Sequence, residues 1–191
     1  MLTTLSQSIG TRVRQGDLSP QPQVANGAVA RASLSGTPVQ TGSFTLEVTK
    51  LATSQTLASP PLAAPTSLTG SGTLTLRFGT IASGTFTEDS GHASVDIAIP
   101  AGATLSDVAA RINGARAGVS AYVANTVDGA QLVLKGSEGA ANAFILEATE
   151  TVGDEGLANL AWTPAGDPAR LLASAGNAAY KLDGLSATSP S

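Results

Sequence analysis

Residues 93–135, ASVDIAIPAGATLSDVAARINGARAGVSAYVANTVDGAQLVLK, decide the fold class of this chain. Apolar residues at alternate positions predict a half-buried strand over 93–99. After Pro100 and Gly102 the apolar spacing changes to that of a helix, which we expect over about 104–117. The apolar stripe of that helix is formed by Leu105, Val108, Ala109 and Ile112. This stripe is expected to pack on a sheet.

The ends of this helix carry recognisable signals. Thr104 stands at the N-cap position, and Asp107 three residues later completes a capping box. Arg111 and Arg116 lie off the apolar stripe, towards the end where cations are favoured. Gly118 is the expected stop, and Gly114 weakens the last turn.

Antiparallel strands are expected on both sides of the helix. The alternating or apolar segments are 43–50, 73–78, 119–124, 131–135 and 143–148, the last of undetermined facing. Asp128-Gly129 predicts a hairpin with a primed turn, and a second hairpin joins 178–182 to 185–188 through Asp183-Gly184. Asp167-Pro168 predicts the start of a short helix reaching Gly176. Together these features predict an α+β fold, mainly antiparallel sheet with one main helix.

Two polar segments predict connections rather than strands of the sheet. Residues 1–42 predict an extended lead-in. Residues 51–76 carry no charge but are rich in Ser and Thr and contain three prolines, so they predict no membrane span. We expect 52–71 to be a solvated linker, and 15–42 and 52–71 to act as hinges.

Composition limits the classes of function. Only 13% of the 191 residues are charged, Cys is absent and His occurs once. Thiolate chemistry, zinc clusters and His-rich metal sites are therefore excluded, and an enzyme is not expected. The net charge of −4 argues against a nucleic-acid groove and against binding to anionic membranes. No cofactor is expected, and the N-terminal residues lack the pattern of a secretory signal.

Several local clusters contain residue types that are found in catalytic or ligand-binding sites. Glu88-Asp89-Ser90-Gly91-His92 with Asp96 holds the residue types of a nucleophilic triad, but all lie on one polar loop, which favours a plain loop. Gly70-Ser71-Gly72 precedes a strand rather than following one, which favours a linker over a phosphate loop. The acidic residues Asp154, Glu155 and Asp167 lack calcium-loop spacing and favour solvated turns. Trp162 is expected in the core, and Tyr122 on the exposed strand face.

Three segments bear a resemblance to a known family. FTLEVTKLA (44–52) resembles a signature near the start of flagellar filament cap proteins of the FliD type. The stretch from GTLTLRFG (72–79) through Ile112-Asn113 to GAQLVLKGSEGAAN (129–142) resembles the flagellin IN motif. AAYKLDGLSATSPS (178–191) is similar to a further strand of the family, with Ala187-Thr188-Ser189 in place of its arginine-bearing turn.

The resemblance implies a head-domain fragment of a structural protein. Such a protein would form an annular oligomer at the growing filament tip, under which exported flagellin folds and inserts. It would leave the cell by the flagellar type III route and contact flagellin, other copies of itself and the hook–filament junction proteins. The resemblance also implies heptad-patterned helices that form the leg of the cap, of which Met1 to about Arg14 would be a remnant. The fragment itself, which lacks sustained heptads, is expected to be monomeric or weakly associating.

The same segments predict how the chain divides into domains and leave two alternative functions open. We expect a head region at 43–191, with an IN-motif lobe at 71–149 flanked by strands near 43–51 and 178–188. An alternative function is a surface adhesin head that binds glycans, for which Tyr122 is the best placed aromatic residue. Another alternative is a flagellin-like axial protein that shares the IN-type domain.

Overall fold

The computed structural model describes residues 22–28, 30–33 and 42–190. The chain divides into two units, 1–44 and 45–191. In the described part of the first unit, Asn26 makes a turn in which its Oδ1 accepts from the N–H of Ala28 at 3.0 Å. The helix remnant expected at Met1 to Arg14 lies outside the described residues.

The second unit is built from antiparallel strands. One sheet has the order β1-β10-β11, a second has the order β6-β7-β2-β9, and in the third β3 pairs with β4 and β5 and also with β8. The strands are β1 Leu46–Lys50, β2 Ser54–Ala58, β3 Gly72–Ala82, β4 Thr85–Glu88, β5 Val95–Ile99, β6 Ser120–Thr126, β7 Gly129–Glu138, β8 Ala143–Glu150, β9 Leu171–Ala173, β10 Ala178–Leu182 and β11 Leu185–Ser189. The predicted α+β class is confirmed.

One helix of the described residues, α1 (Leu105–Ala115), packs against these sheets. Its predicted stripe is fully or almost fully buried and contacts mainly β5 and β6. The core continues through β3, β7 and β8, where Leu74, Leu76, Leu132 and Phe144 are at most 1% exposed. The alternating apolar residues that predicted β3 and β5 all lie on the face of the sheet that is turned towards this core.

The predicted linker at 52–71 is wrong. Residues 54–58 form β2, which lies between β7 and β9 in the second sheet, and Gln55 and Leu57 are almost completely buried. Further along, a Cβ on Gly72 would overlap the backbone of Thr149, so the Gly70–Gly72 segment is a close backbone crossing rather than a linker. A segment held in this way cannot act as the expected hinge.

Two further predictions on short elements need correction. After the predicted cap at Asp167, a single 3-10 turn (Pro168–Arg170) is followed by strand β9, not by a helix reaching Gly176. Leu171 pairs with Leu57 of β2, so sheet pairing overrides the local helix signal. The hairpin forms, but the two residues between its strands are Val127 and Asp128, and neither has a positive φ, so it is not a primed turn.

The small sheet β1-β10-β11 has an uncovered apolar face. Leu46 faces Leu182 and Leu185 across the strands, and all three side chains are exposed by more than 40%. The prediction of a half-buried strand at 43–50 is therefore wrong on burial, because no described element packs on this face. The predicted Asp183-Gly184 turn is confirmed, with both residues at positive φ, and Asp183 Oδ1 accepts from the N–H of Thr45 at 2.7 Å.

Candidate functional site

The segment with the most specific geometry is the helix α1 together with the strand that follows it. The predicted capping box is confirmed: Thr104 Oγ1 accepts from the Asp107 N–H at 3.2 Å, and Asp107 Oδ2 accepts from the Thr104 N–H at 2.9 Å. The helix ends at Ala115, two residues before the expected end. Arg116 at its end adopts the left-handed conformation (φ 52°), and the expected stop, Gly118, also has a positive φ of 77°. Arg111 donates to the carbonyl of Ala98 at 3.2 Å and so ties α1 to β5.

The capping box makes the stability of the chain depend on pH. Hydrogen bonds from the Thr104 hydroxyl and N–H lower the pKa of Asp107 from its ordinary value of 3.8. A carboxyl group whose pKa is lower in the folded state stabilises the fold above its unfolded pKa, and this contribution is lost as the pH falls through the folded value. We expect Asp107→Asn to flatten the stability curve below about pH 4. Urea unfolding of both proteins between pH 2.5 and 7 measures this, and parallel curves would contradict it.

Ile112 and Asn113 of α1 have separate tasks. Ile112 is completely buried in the core. The Asn113 side chain instead reaches β6, where its Nδ2 donates to the carbonyl of Ala121 at 2.7 Å and its Oδ1 accepts from the Ala121 N–H at 2.8 Å. The amide thus pairs with the backbone as a neighbouring strand would. Sequence reasoning missed this role, for which an asparagine in the last turn of a helix is the one available signal.

A second amide makes the same kind of pair in the core. Gln55 of β2 donates through Nε2 to the carbonyl of Phe144 at 2.8 Å and accepts from the Phe144 N–H at 2.9 Å. Both residues are fully buried. Since β2 and β8 belong to different sheets, Gln55 joins the two sheets by hydrogen bonds that no water can replace.

The candidate triad residues do not assemble into a site. The His92 ring stacks on Phe78 with 4.0 Å between centroids, and Asp96 accepts from the Thr75 hydroxyl at 2.6 Å. Glu88 pairs with Arg77, which also binds Glu147. Among the described residues no hydrogen bond links Ser90 to His92. The group is a loop and the rim of a sheet.

The arginine in that group is held by two carboxylates. The hydrogen bonds that Arg77 donates, first to Glu147 and then to Glu88, raise the pKa of Arg77. These two ion pairs are partly exposed to solvent, so they contribute little to stability. They belong to the polar outer face of the third sheet.

The acidic candidates are dispersed over turns. Asp154 lies beside the backbone of Ser71, and Asp167 caps the 3-10 turn by accepting from the Ala169 N–H at 2.9 Å. The nearby Glu150 accepts from the N–H groups of Ala158 and Gly156, which lower its pKa. Within 22–28, 30–33 and 42–190, no three acidic or imidazole side chains converge in a way that could hold a metal ion.

The two aromatic predictions are confirmed. Trp162 is 4% exposed and its Nε1 donates to the carbonyl of Asp167 at 3.0 Å, while its backbone pairs with Leu146 of β8. Tyr122 is 55% exposed on the outer face of β6. In the part of the chain that the structure describes, no helix is both long enough and apolar enough to cross a membrane.

Comparison with known proteins gives this arrangement a context. The family profile of the flagellin hook IN motif matches residues 73–138, from β3 to the end of β7. The crystal structure of FliD from Pseudomonas aeruginosa PAO1 is 27% identical, with a TM-score of 0.61 over 80% of this chain and 69% of that one. The chain has a FliD-type cap domain fold.

Other FliD structures share this fold. The D2-D3 domains of the Escherichia coli flagellar cap protein FliD match with a TM-score of 0.68 and 23% identity, over 83% of this chain and 79% of that one. The E. coli fragment that also contains D1 matches at a TM-score of 0.63 and 23% identity over 78% of this chain, which spans only 42% of that fragment. No curated protein matches the sequence. The resemblance to the FliD type is confirmed, and the segment that matches the IN motif lies in the main core of this fold.

Proposed function

We propose that this FliD-type domain is part of a protein that caps the growing tip of the bacterial flagellar filament. The observation that carries the proposal is the similarity to P. aeruginosa FliD over four fifths of the chain, with the IN motif inside the matched fold. A cap of this kind promotes the folding and insertion of exported flagellin. Its partners are flagellin, further copies of itself and the hook–filament junction proteins.

The proposed mechanism is geometric rather than chemical. The main core is tied at several points by polar groups that bind backbone, including Gln55 between two sheets. Arg170 adds bonds to three carbonyls, those of Ala58, Leu160 and Ala161. Such a body keeps its shape while neighbouring subunits move, which suits a plate that holds open a space for one flagellin at a time. Low charge density gives this plate a contact surface without activated groups.

The domain division is part of this proposal. We place a head at 43–191 and the IN-motif lobe of 71–149 within it, above a base formed by 43–51 and 178–188. Strands β2 and β9 lie outside 71–149 but pair within the sheets of the lobe, so the lobe also includes them. Two backbone hydrogen bonds between Thr53 and Gly176, 2.8 and 2.9 Å, lie where the proposed base would join the lobe.

The location follows from the proposed role. The protein is exported by the flagellar type III route and acts outside the cell at the filament tip. The uncovered face exposes three leucines, Leu46, Leu182 and Leu185, whereas a stable dimer typically buries about 800 Å² per partner. We expect the isolated chain to be monomeric or weakly associating, with the ring formed only by the longer protein.

Deletion of the parent gene tests the cap function. We expect cells with hooks but without filaments, and monomeric flagellin in the medium, because exported subunits are lost when no cap retains them. Reintroduction of the intact gene is the control and restores filaments. Normal filaments with lost attachment to surfaces would overturn the proposal and favour the glycan-binding adhesin.

A further inference from the structure

We infer that Asn113 is a latch that holds the last turn of α1 over the free edge of strand β6, so that a second copy of the chain cannot pair with this edge. The inference rests on hydrogen bonds within the domain and not on the proposed cap function. The interaction that would be prevented is the pairing of a strand from a second copy with the edge of β6. An unpaired strand edge offers its backbone groups to other chains, so a β-rich chain needs such protection.

The edge itself follows from the sheet topology. β6 is the first strand in the order β6-β7-β2-β9, so only one side of β6 is paired with another strand. In an antiparallel pair, residues alternate between bonding to the neighbour and pointing their N–H and C=O groups outward. Since both backbone groups of Ala121 bond to Asn113, the outward set also includes Val123 and Asn125. These three residues together are long enough to accept a strand from another molecule.

Apart from the packing of Ile112 and Ala115 on the core, the last turn of α1 has little to hold it. Gly114 disfavours helix, no basic side chain lies in the last turn, and the helix ends at Ala115 with Arg116 in the left-handed conformation. The two bonds of Asn113, 2.7 and 2.8 Å, attach this turn to the strand. Without them only this core packing holds the turn, and the outward backbone groups of Ala121 lose the partner that covers them.

The chain contains the substitutions needed to separate this latch from ordinary stabilisation. Asn113→Ala removes both bonds and leaves Ile112 in the core. Ile112→Val, its matched control, removes one buried methyl group and leaves the latch intact. Asn125 is exposed and its N–H points outward, so Asn125→Pro blocks the edge without removing a bond to β7.

The experiment measures mass by light scattering over a range of protein concentrations at which all variants remain folded by circular dichroism. We expect the mass of Asn113→Ala to rise with concentration towards that of a dimer, while the original chain and Ile112→Val show no such rise. Adding Asn125→Pro to Asn113→Ala is expected to abolish the rise without restoring stability. A folded Asn113→Ala that scatters as Ile112→Val does would overturn the inference, as would association that Asn125→Pro leaves unchanged.

Hydrogen exchange of the original chain decides the matter if Asn113→Ala does not fold. The latch predicts that the Ala121 amide exchanges far more slowly than the outward amides of Val123 and Asn125. Equal exchange of the three amides would mean that the turn does not stay on the edge, and the inference would fail.

Discussion

Replacement of Gln55 with leucine is expected to lower the free energy of unfolding by about 3 kcal/mol, although leucine is the more apolar residue. The side chain is fully buried, and its two hydrogen bonds are those that the N–H and C=O of Phe144 make on that side of β8. Leucine leaves both backbone groups without a partner in a place that water does not reach. Each orphaned group costs about 1–3 kcal/mol, which exceeds the gain from the added apolar surface. Urea unfolding measures the difference.

Gln131 provides the matched control for this substitution. It makes one side-chain bond, from Nε2 to the carbonyl of Ser59 at 2.9 Å, and it is half-buried, so water can replace the bond. We expect Gln131→Leu to cost about 1 kcal/mol or less. Equal losses for the two variants would show that the amide of Gln55 has no special part in joining the sheets.

Arg170→Met is expected to lower the free energy of unfolding by about 2 kcal/mol or more. The guanidinium donates to the carbonyls of Ala161 at 2.6 Å, Leu160 at 2.9 Å and Ala58 at 3.0 Å, and so ties the end of β2 to the loop before Trp162. Burial lowers the pKa of Arg170, and the nearby charge of Asp167 partly offsets this. The three charge-assisted bonds compensate for that desolvation, whereas methionine leaves three carbonyls unpaired.

Arg111 is the control for Arg170. It makes one bond to a carbonyl on an exposed surface, so Arg111→Met is expected to change stability by less than about 1 kcal/mol. Arg170→Lys adds a second test, because a single ammonium group cannot reach three carbonyls in the fork geometry of a guanidinium. Full stability of Arg170→Lys would contradict the proposed role of the guanidinium.

Regular alternation and helical spacing were enough to predict much of the fold. The strands β3, β5, β10 and β11, the helix α1 and its capping box all follow from local patterns that agree with the final packing. β2 was missed because Gln55 occupies an inward position where the pattern requires an apolar residue. That departure is itself the polar link between the sheets. β9 was missed because its three residues form a strand only through pairing with β2.

The candidate site could be predicted only in part. The sequence places Ile112-Asn113 within the segment that resembles the IN motif. The hydrogen bonds of Asn113 to Ala121 could not be predicted, because they depend on how α1 lies against β6. The exposure of Leu46 and Val48 could not be foreseen either, since alternation shows that one face is apolar but not whether another layer covers it.

The most direct test of the cap function of this domain is an in-frame removal of residues 45–190 from the parent gene at its native locus. The flagellin released into the medium is compared with that of the intact strain, with filaments counted by electron microscopy. The cap proposal predicts abundant monomeric flagellin in the medium and short or absent filaments, although export itself continues. Filaments of normal number and length, with flagellin in the medium unchanged, would contradict a role of this domain in capping.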